Sequence, residues 1–158
     1  MKAVFLYDVS GVAAQPWADA GYECWIVDIQ HPPAYDNNGI TDCGNIKKVH
    51  FDLRNAWLPP FDRSEVAFAA AWPPCDHLAV SGARWFKGKG LRKLAWSIEM
   101  FATAAEFCEW SEAPYLMENP VSNIASHWRK PDYTFSPDQY TGFCERDNYT
   151  KKTCLIGS

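Results

Sequence analysis

The chain has 158 residues, of which 47% are hydrophobic and 22% charged, the composition of an ordinary folded domain. This length and composition predict one domain spanning residues 1–158 and argue against disorder over most of it. The net charge of −4 and the pI of about 5.5 argue against a strongly basic nucleic-acid-binding protein. Any contact with DNA must therefore depend on local basic patches.

The N-terminal residues contain only a short apolar run before Asp8, which is not typical of a signal peptide. No apolar run approaches the roughly 20 residues of a membrane-spanning helix. We therefore expect a cytoplasmic protein with reduced cysteines and no membrane contact. The cysteine and histidine spacings match no zinc signature, so no metal site is predicted.

In the first half of the chain, short apolar runs alternate with turn signals. A helix is predicted at 12–20, with Pro16 in its first turn and Gly21 directly after it. The segment 30–45 is rich in Pro, Asn, Asp and Gly and is predicted to be a loop. Strands are predicted on either side of these elements, at 3–7, 22–28 and 49–53.

The second half begins with an almost entirely apolar run at 66–72, typical of a strand covered on both faces. A long helix is predicted at 91–110, and a strand at 114–117 ends before Glu118. The segment 132–158 is rich in turns and ends in a predicted strand at 153–156. The buried stripe of the long helix is expected to contain Leu91, Leu94, Ala95, Ile98, Phe101, Ala102, Ala105 and Phe107.

This alternation of strands and helices predicts an α/β fold, with a Rossmann-like, mostly parallel sheet and helices on both faces. In such sheets, ligands bind at the carboxyl ends of the strands. Polar and reactive side chains are expected to collect at that edge: Asp8, Ser10, Asp28, Asp52, Cys75 and Glu118.

The first half of the edge has features of a nucleoside site. Ser10 and Gly11 follow the first strand, where small residues let a ligand approach the backbone, although a tight turn has the same signature. Asp28 comes about twenty residues later and can accept both hydroxyls of a ribose. Asp52 can accept from an adenine amino group or can cap a turn. Because both glycine-rich pyrophosphate motifs are missing, a nucleoside such as S-adenosylmethionine fits better than NAD or ATP.

A second set of residues has features of nucleophilic catalysis. Pro73 and Pro74 stiffen the turn that presents Cys75, and a thiolate is a nucleophile. A thiolate beside a carboxyl group suits chemistry on a pyrimidine ring, with the sulfur adding to carbon 6 and Glu118 bonding the ring nitrogen and amino group. The alternative is that Cys75 is a buried small hydrophobic residue.

Taken together, these stretches resemble the cytosine carbon-5 DNA methyltransferase family. Pro74-Cys75 is similar to its proline–cysteine motif, Glu118-Asn119 to its glutamate–asparagine motif, and residues 149–157 to its basic segment and following strand. Here Ser10 replaces a glycine, Pro120 a valine, and lysines replace arginines. The resemblance implies catalysis by Cys75, Glu118 and Asn119, and a site for S-adenosylmethionine formed by Asp8, Ser10, Gly11, Asp28, Ile29, Asp52 and Pro74.

The resemblance also implies DNA as a partner, although the family's usual target-recognition domain has no counterpart in this chain. A homo-oligomer or a separate specificity subunit could supply recognition. The loop 81–90 combines glycines, basic residues and an aromatic ring, so it is expected either to bind a base outside the stack or to form an ordinary surface loop. The DNA-binding candidates are Arg84, Trp85, Lys87, Lys151 and Lys152.

Three functional hypotheses remain open at this point. The first is a cytosine methyltransferase with a covalent adduct at Cys75. The second is an enzyme of the same fold with a changed donor or a nucleotide substrate. The third is an inactive subunit that binds DNA or the cofactor without turnover.

Overall fold

Eight short strands form one mixed sheet in the computed structural model, which describes residues 1–34, 38–80 and 86–158. The strands are β1 (Lys2–Leu6), β2 (Glu23–Asp28), β3 (Ile40–Cys43), β4 (Ile46–His50), β5 (Val66–Ala71), β6 (Tyr115–Pro120), β7 (Tyr133–Phe135) and β8 (Thr153–Gly157). The helices are α1 (Gln15–Asp19), α2 (Phe86–Lys89), α3 (Leu91–Ser111) and α4 (Ile124–His127). Short 3₁₀ turns lie at Arg63–Glu65, Pro137–Tyr140 and Glu145–Asp147.

The strand order is β3-β4-β2-β1-β5-β6-β8-β7. The five central strands, β4 to β6 in this order, are parallel, whereas β3, β8 and β7 pair antiparallel at the two sides. If only the five parallel strands are numbered, in the sequence in which they occur along the chain, their order across the sheet is 3-2-1-4-5. This order is compatible with a doubly wound sheet. The predicted α/β fold with a mostly parallel sheet is confirmed at this level.

The two faces of the sheet bury separate apolar clusters. Along β1, Val4 and Leu6 belong to a cluster that includes α3, whereas Ala3 and Phe5 belong to a cluster that includes α1. This division follows from the alternation of side chains along a strand. Each face is thus covered by a helix, and the carboxyl ends of the parallel strands remain available at one edge.

The predicted loop at 30–45 is wrong in its last part, because β3 begins at Ile40. β3 and β4 form a hairpin around Gly44 and Asn45, and Gly44 has the positive φ of 74° that a tight two-residue turn requires. The third predicted strand is also displaced, since β4 covers Ile46–His50 rather than 49–53.

Two helix predictions need correction. The first helix is only Gln15–Asp19, shorter than predicted, although Pro16 does lie in its first turn. In α3, the stripe is buried only in the C-terminal half, and Leu91, Leu94, Ala95 and Ile98 are exposed. In the amino-terminal half of α3, these apolar side chains face solvent to a large extent, with Leu91 84% and Ile98 47% exposed. No helix among the described residues is both long and apolar enough to cross a membrane.

The strand before the predicted catalytic acid is longer than expected. β6 continues through Glu118 and Asn119 to Pro120, because β8 pairs with it antiparallel from Leu116 to Pro120. Pro120 is the last residue of the strand, and beyond Met117 β6 pairs only with β8 among the described strands, so one side of the strand is unpaired there, as at a sheet edge where proline is tolerated. Glu118 and Asn119 are therefore strand residues rather than the start of a loop.

Candidate functional site

The loop after β5 brings Cys75 next to the end of β6. Pro73 is buried and Pro74 exposed, and the backbone then turns so that the N–H groups of Leu78 and Ala79 both donate to the Cys75 carbonyl, at 2.9 and 3.0 Å. Ala79 forms an antiparallel bridge with Ser122. Because this bridge joins the cysteine loop to the chain just beyond β6, Cys75 and the carboxyl end of β6 face the same region.

Cys75 is half-buried and lines a cleft of about 540 Å³. Three lysines line the same cleft: Lys89, Lys151 and Lys152. Burial raises the pKa of the Cys75 thiol above its ordinary value; the charge of Lys151 opposes this increase, and the charges of Glu118 and Asp76 add to it. The thiol is therefore mainly protonated at neutral pH, and its ionisation depends on the lysine beside it.

Glu118 contacts this cleft through Lys151. The Lys151 Nζ lies 3.4 Å from the Glu118 Oε1, and the Glu118 side chain is only 20% exposed. Glu118 is also close enough to Cys75 for its charge to affect the thiol. The sulfur, the carboxylate and one lysine thus lie near one another, an arrangement that suits addition of a thiol to a polarised ring.

Asn119 lies on the opposite face of the sheet from Glu118. Along β6, Tyr115 and Met117 pack in the α3 cluster and Leu116 packs against the α1 cluster, so Glu118 has the orientation of Leu116 and Asn119 that of Met117. Asn119 is 2% exposed, and neither amide atom has a hydrogen-bond partner within the described residues. It lines a separate cavity of about 150 Å³ with Lys152 and Cys154.

The turn after β1 is held by Asp8. Asp8 is buried; its Oδ1 accepts from the Ser10 hydroxyl at 3.0 Å and from the Gly11 N–H at 2.8 Å, while its Oδ2 has no partner in the described structure. Gly11 has a φ of 72°, and a Cβ atom there would lie 3.4 Å from the side chain of Ile26. The turn therefore requires glycine, and it leaves one buried carboxylate oxygen open to a hydrogen-bond donor.

The other two cofactor candidates differ in their availability. Asp28 is buried at the end of β2, where its Oδ1 accepts from the Gln30 N–H at 2.8 Å, and the neighbouring Ile29 is exposed. Asp52 forms a bidentate ion pair with Arg54, whose guanidinium holds the pKa of the carboxyl below its usual range. Asp52 also caps a turn, the alternative role expected from the sequence, because its Oδ1 accepts from the Arg54 N–H at 3.1 Å.

Sequence reasoning overlooked two residues that connect these strand ends. The Tyr7 hydroxyl donates to the Met100 carbonyl at 2.7 Å, and burial, together with the charges of Asp28 and Asp52, raises its pKa far above the ordinary value. Tyr7 also has a φ of 62°, an unusual backbone conformation for a bulky residue. His31 is buried, and its Nε2–H donates to the Asp8 carbonyl at 2.9 Å. The sequence signal for His31 is a histidine three residues after the end of the second strand.

The three DNA-binding candidates in the described ranges line two different cavities. Lys151 and Lys152 line the Cys75 cleft, whereas Lys87 lies in α2 and lines another cavity of about 300 Å³ beside His77. Arg84 and Trp85 lie outside the described residues.

The six cysteines are all in the described part of the chain and are free; Cys43 and Cys144 are exposed. No group of three or more His, Cys, Asp or Glu side chains in the described ranges is arranged to hold a metal ion. A comparison of the chain with protein-family models finds no match, and a comparison with curated proteins likewise finds none. The functional argument therefore depends on the residues themselves.

Proposed function

We propose that the chain is an S-adenosylmethionine-dependent enzyme that methylates carbon 5 of cytosine in DNA through a covalent adduct at Cys75. The observation that carries this proposal is the half-buried Cys75 thiol in a cleft of about 540 Å³, beside the ion pair of Lys151 and Glu118. The 3-2-1-4-5 order of the parallel strands supports it, because this order collects ligand groups at the carboxyl edge.

The chain's own residues have distinct parts in this reaction. The Cys75 thiol gives its proton to water and its sulfur bonds to ring carbon 6, which moves an electron pair onto carbon 5. The Glu118 carboxyl bonds the ring nitrogen and the amino group, where charge develops, and Lys151 positions that carboxyl. After methyl transfer, carbon 5 gives its proton to water and the electron pair of that bond restores the ring double bond, while the carbon–sulfur bond breaks and Cys75 leaves as the thiolate.

The residues present fit S-adenosylmethionine in part. The unpartnered Oδ2 of Asp8 and the buried Asp28 carboxylate would hold polar groups of the nucleoside, and the exposed Ile29 would cover an apolar surface. When bound, the cofactor supplies an electrophilic methyl group and leaves as its thioether. Asp52 would bond the adenine only after separation from Arg54.

That ion pair favours a second candidate function, a protein of the same fold that binds DNA without methyl transfer. Asp52 and Arg54 satisfy each other, and the Gly11 N–H is already used by Asp8. A chain in which these contacts persist would bind the cofactor weakly or not at all, although the Cys75 cleft would still be open.

A mechanism-based trap tests the proposal. In DNA that contains 5-fluorocytosine, the fluorine on carbon 5 cannot leave as a proton, so the adduct persists after methyl transfer. With S-adenosylmethionine present, we expect a denaturation-resistant protein–DNA species, with mass spectrometry locating the link at Cys75. Cys75→Ser should abolish this species, and Cys43→Ser, which removes an exposed thiol, should leave it unchanged.

The alternatives give different results in the same experiment. Calorimetric binding of S-adenosylmethionine without any adduct would refute the methyltransferase proposal and leave a binding function. Adduct formation with free fluorinated nucleotides but not with DNA would indicate a nucleotide substrate. An adduct at a cysteine other than Cys75 would contradict the assigned nucleophile.

A further inference from the structure

Three aromatic side chains form a cluster at the β7 side of the sheet. The rings of Tyr133 and Phe135 are stacked, with centroids 6.5 Å apart and planes at 17°, and Phe135 meets Tyr140 edge to face at 5.4 Å. Tyr133 is 54% exposed and Tyr140 39% exposed. Two exposed rings around one partly buried ring form an aromatic surface, which we call the platform (Tyr133, Phe135 and Tyr140).

The platform lies on the same face of the sheet as Glu118. The strand register aligns Glu118 with Leu155 and Leu155 with Tyr133, so these side chains form one row across β6, β8 and β7. The next row in the same orientation contains Pro120, Thr153 and Phe135. Two strand spacings separate the ends of each row, which places the platform about 10 Å from the proposed catalytic carboxyl.

Lysines lie between the platform and the Cys75 cleft. A groove of about 470 Å³ is lined by Phe135, Gln139, Lys151 and Lys152, among others. The two lysines also line the Cys75 cleft, so the groove and the cleft border on the same segment of chain. Within the described ranges, no carboxylate lies in ion-pair distance of Lys152, whereas the nearby Asp132 is bound by Arg129 at 2.7 Å. The charge of Lys152 is therefore available for an anionic ligand.

We propose that the platform and its groove bind an unpaired DNA strand by stacking a base that neighbours the reacting cytosine. This inference rests on the proposed function, because it assumes that a base occupies the Cys75 cleft. Aromatic rings stack on any base whose face is exposed, and a lysine beside them binds the phosphate backbone. Bases inside a duplex already stack on each other, so the platform selects single-stranded or locally opened DNA.

Binding of a fluorescein-labelled, cytosine-containing 12-nucleotide single strand, followed by fluorescence anisotropy, tests this inference. Stacking contributes about 1–3 kcal/mol per base, so Tyr133→Ala and Tyr140→Ala should each weaken binding by about 5- to 150-fold. Tyr133→Phe keeps the ring and should bind like the unmodified chain. Trp96→Ala, which removes a partly exposed ring from α3, is the matched control and should have no effect.

Two further measurements do not depend on the alanine variants. The same sequence in duplex form should bind the unmodified chain more weakly than the single strand. Lys152→Met should reduce the slope of log affinity against log salt by about 0.7, the value for one phosphate contact on a single strand. Equal binding of both DNA forms, or binding within twofold of the unmodified chain by both tyrosine-to-alanine variants, would overturn the inference.

The outcome is separable from that of the proposed function. Cys75→Ser cannot form the adduct, yet it keeps the platform and should bind the single strand normally. If no adduct forms but Tyr133→Ala still loses binding, the platform stands and the methyltransferase proposal fails. If the adduct forms and Tyr133→Ala binds normally, the methyltransferase proposal stands and the platform inference fails.

Discussion

Lys151 is the residue on which the chemistry of the candidate site depends most. Burial alone would keep the Cys75 thiol protonated, and Lys151 is the only lysine whose charge contributes to lowering its pKa within the described structure. The same Nζ atom bonds the Glu118 carboxylate. One side chain thus affects both the nucleophile and the carboxyl that stabilises the developing charge.

Removing that charge should raise the pKa of the Cys75 thiol. We expect Lys151→Met to move the pH profile of Cys75 alkylation by iodoacetamide to higher pH, since only the thiolate reacts. Peptide-resolved mass spectrometry separates Cys75 from the exposed Cys43 and Cys144.

Lys152→Met is the matched control for this experiment. Lys152 lines the same cleft, but its charge contributes to the pKa of Cys154 and not to that of Cys75. The control profile for Cys75 should therefore be unchanged. Equal displacement in both variants would show a general effect of the cleft's charge rather than a specific contact.

The sequence reveals the thiol more readily than its partners. The Pro73-Pro74-Cys75 turn is a local pattern, so it could be recognised without a structure. The contact between Lys151 and Glu118 joins residues 33 positions apart, and it depends on the antiparallel pairing of β8 with β6. No local periodicity encodes that pairing, so the sequence indicates the basic character of Lys151 but not its contact with Glu118.

At the level of elements, helical periodicity predicts the presence of α3 but not which part of its apolar stripe is buried. The apolar stripe continues through the whole helix, but the sheet covers only its C-terminal half. Leu91 is 84% exposed, whereas Phe101 is 3% exposed and packs edge to face on Trp128 at 5.6 Å. The pattern identifies the helix, and only the positions of the strands decide which part of the stripe is buried.

This difference predicts unequal effects of two similar truncations. Phe101→Ala should reduce the free energy of unfolding by about 3–5 kcal/mol, because it leaves a cavity in the α3 cluster. Leu91→Ala should change it by less than about 0.5 kcal/mol, because that side chain already contacts water. Urea denaturation of both variants provides the measurement, and comparable losses would contradict the observed position of α3.

The missed strand β3 has a physical explanation of the same kind. The segment 30–45 is rich in Pro, Asn, Asp and Gly, which are typical of loops. The four residues that pair with β4 therefore have no clear strand pattern in the sequence. Gly44-Asn45 between two short runs was the available signal, since two-residue turns with glycine first are typical of hairpins. The strands β1, β2 and β5 were easier to predict, because strands buried on both faces are continuously apolar.

At the level of the whole molecule, hydrogen bonds connect the ends of three parallel strands. The His31 Nε2–H donates to the Asp8 carbonyl after β1, and the His50 Nδ1–H donates to the His31 carbonyl at 2.6 Å from the end of β4. His31 itself follows β2. The candidate cofactor edge is therefore held by polar contacts between strands that are far apart in sequence, a feature that composition and periodicity do not reveal.

Burial lowers the pKa of His31 below its ordinary value of 6.5, and the charges of Asp8 and Asp28 oppose that change while Lys48 adds to it. The unfolded chain therefore binds a proton more readily than the folded chain does. Above pH 6.5, His31 should not make the free energy of unfolding depend on pH. As the pH decreases from 6.5 toward the lowered pKa, the free energy of unfolding should fall.

Chemical denaturation between pH 5 and 7, approximately the range about the ordinary histidine pKa, tests this expectation. His31→Gln keeps a donor for the Asp8 carbonyl and cannot titrate, so its stability should depend less on pH. His127→Gln, at an exposed position in α4, should behave like the unmodified chain. A pH dependence that is the same in all three proteins would contradict the assignment to His31.

Cys43 and Cys144 have a practical consequence for the question of self-association. Both thiols face solvent, so mild air oxidation can join two copies through a covalent bridge without any specific interface. Such a species would have twice the mass of one chain and would mimic a biological dimer in a sizing experiment. A molar mass measured with a reductant present, and again after serine replaces both residues, reports the assembly that the folded surface itself prefers.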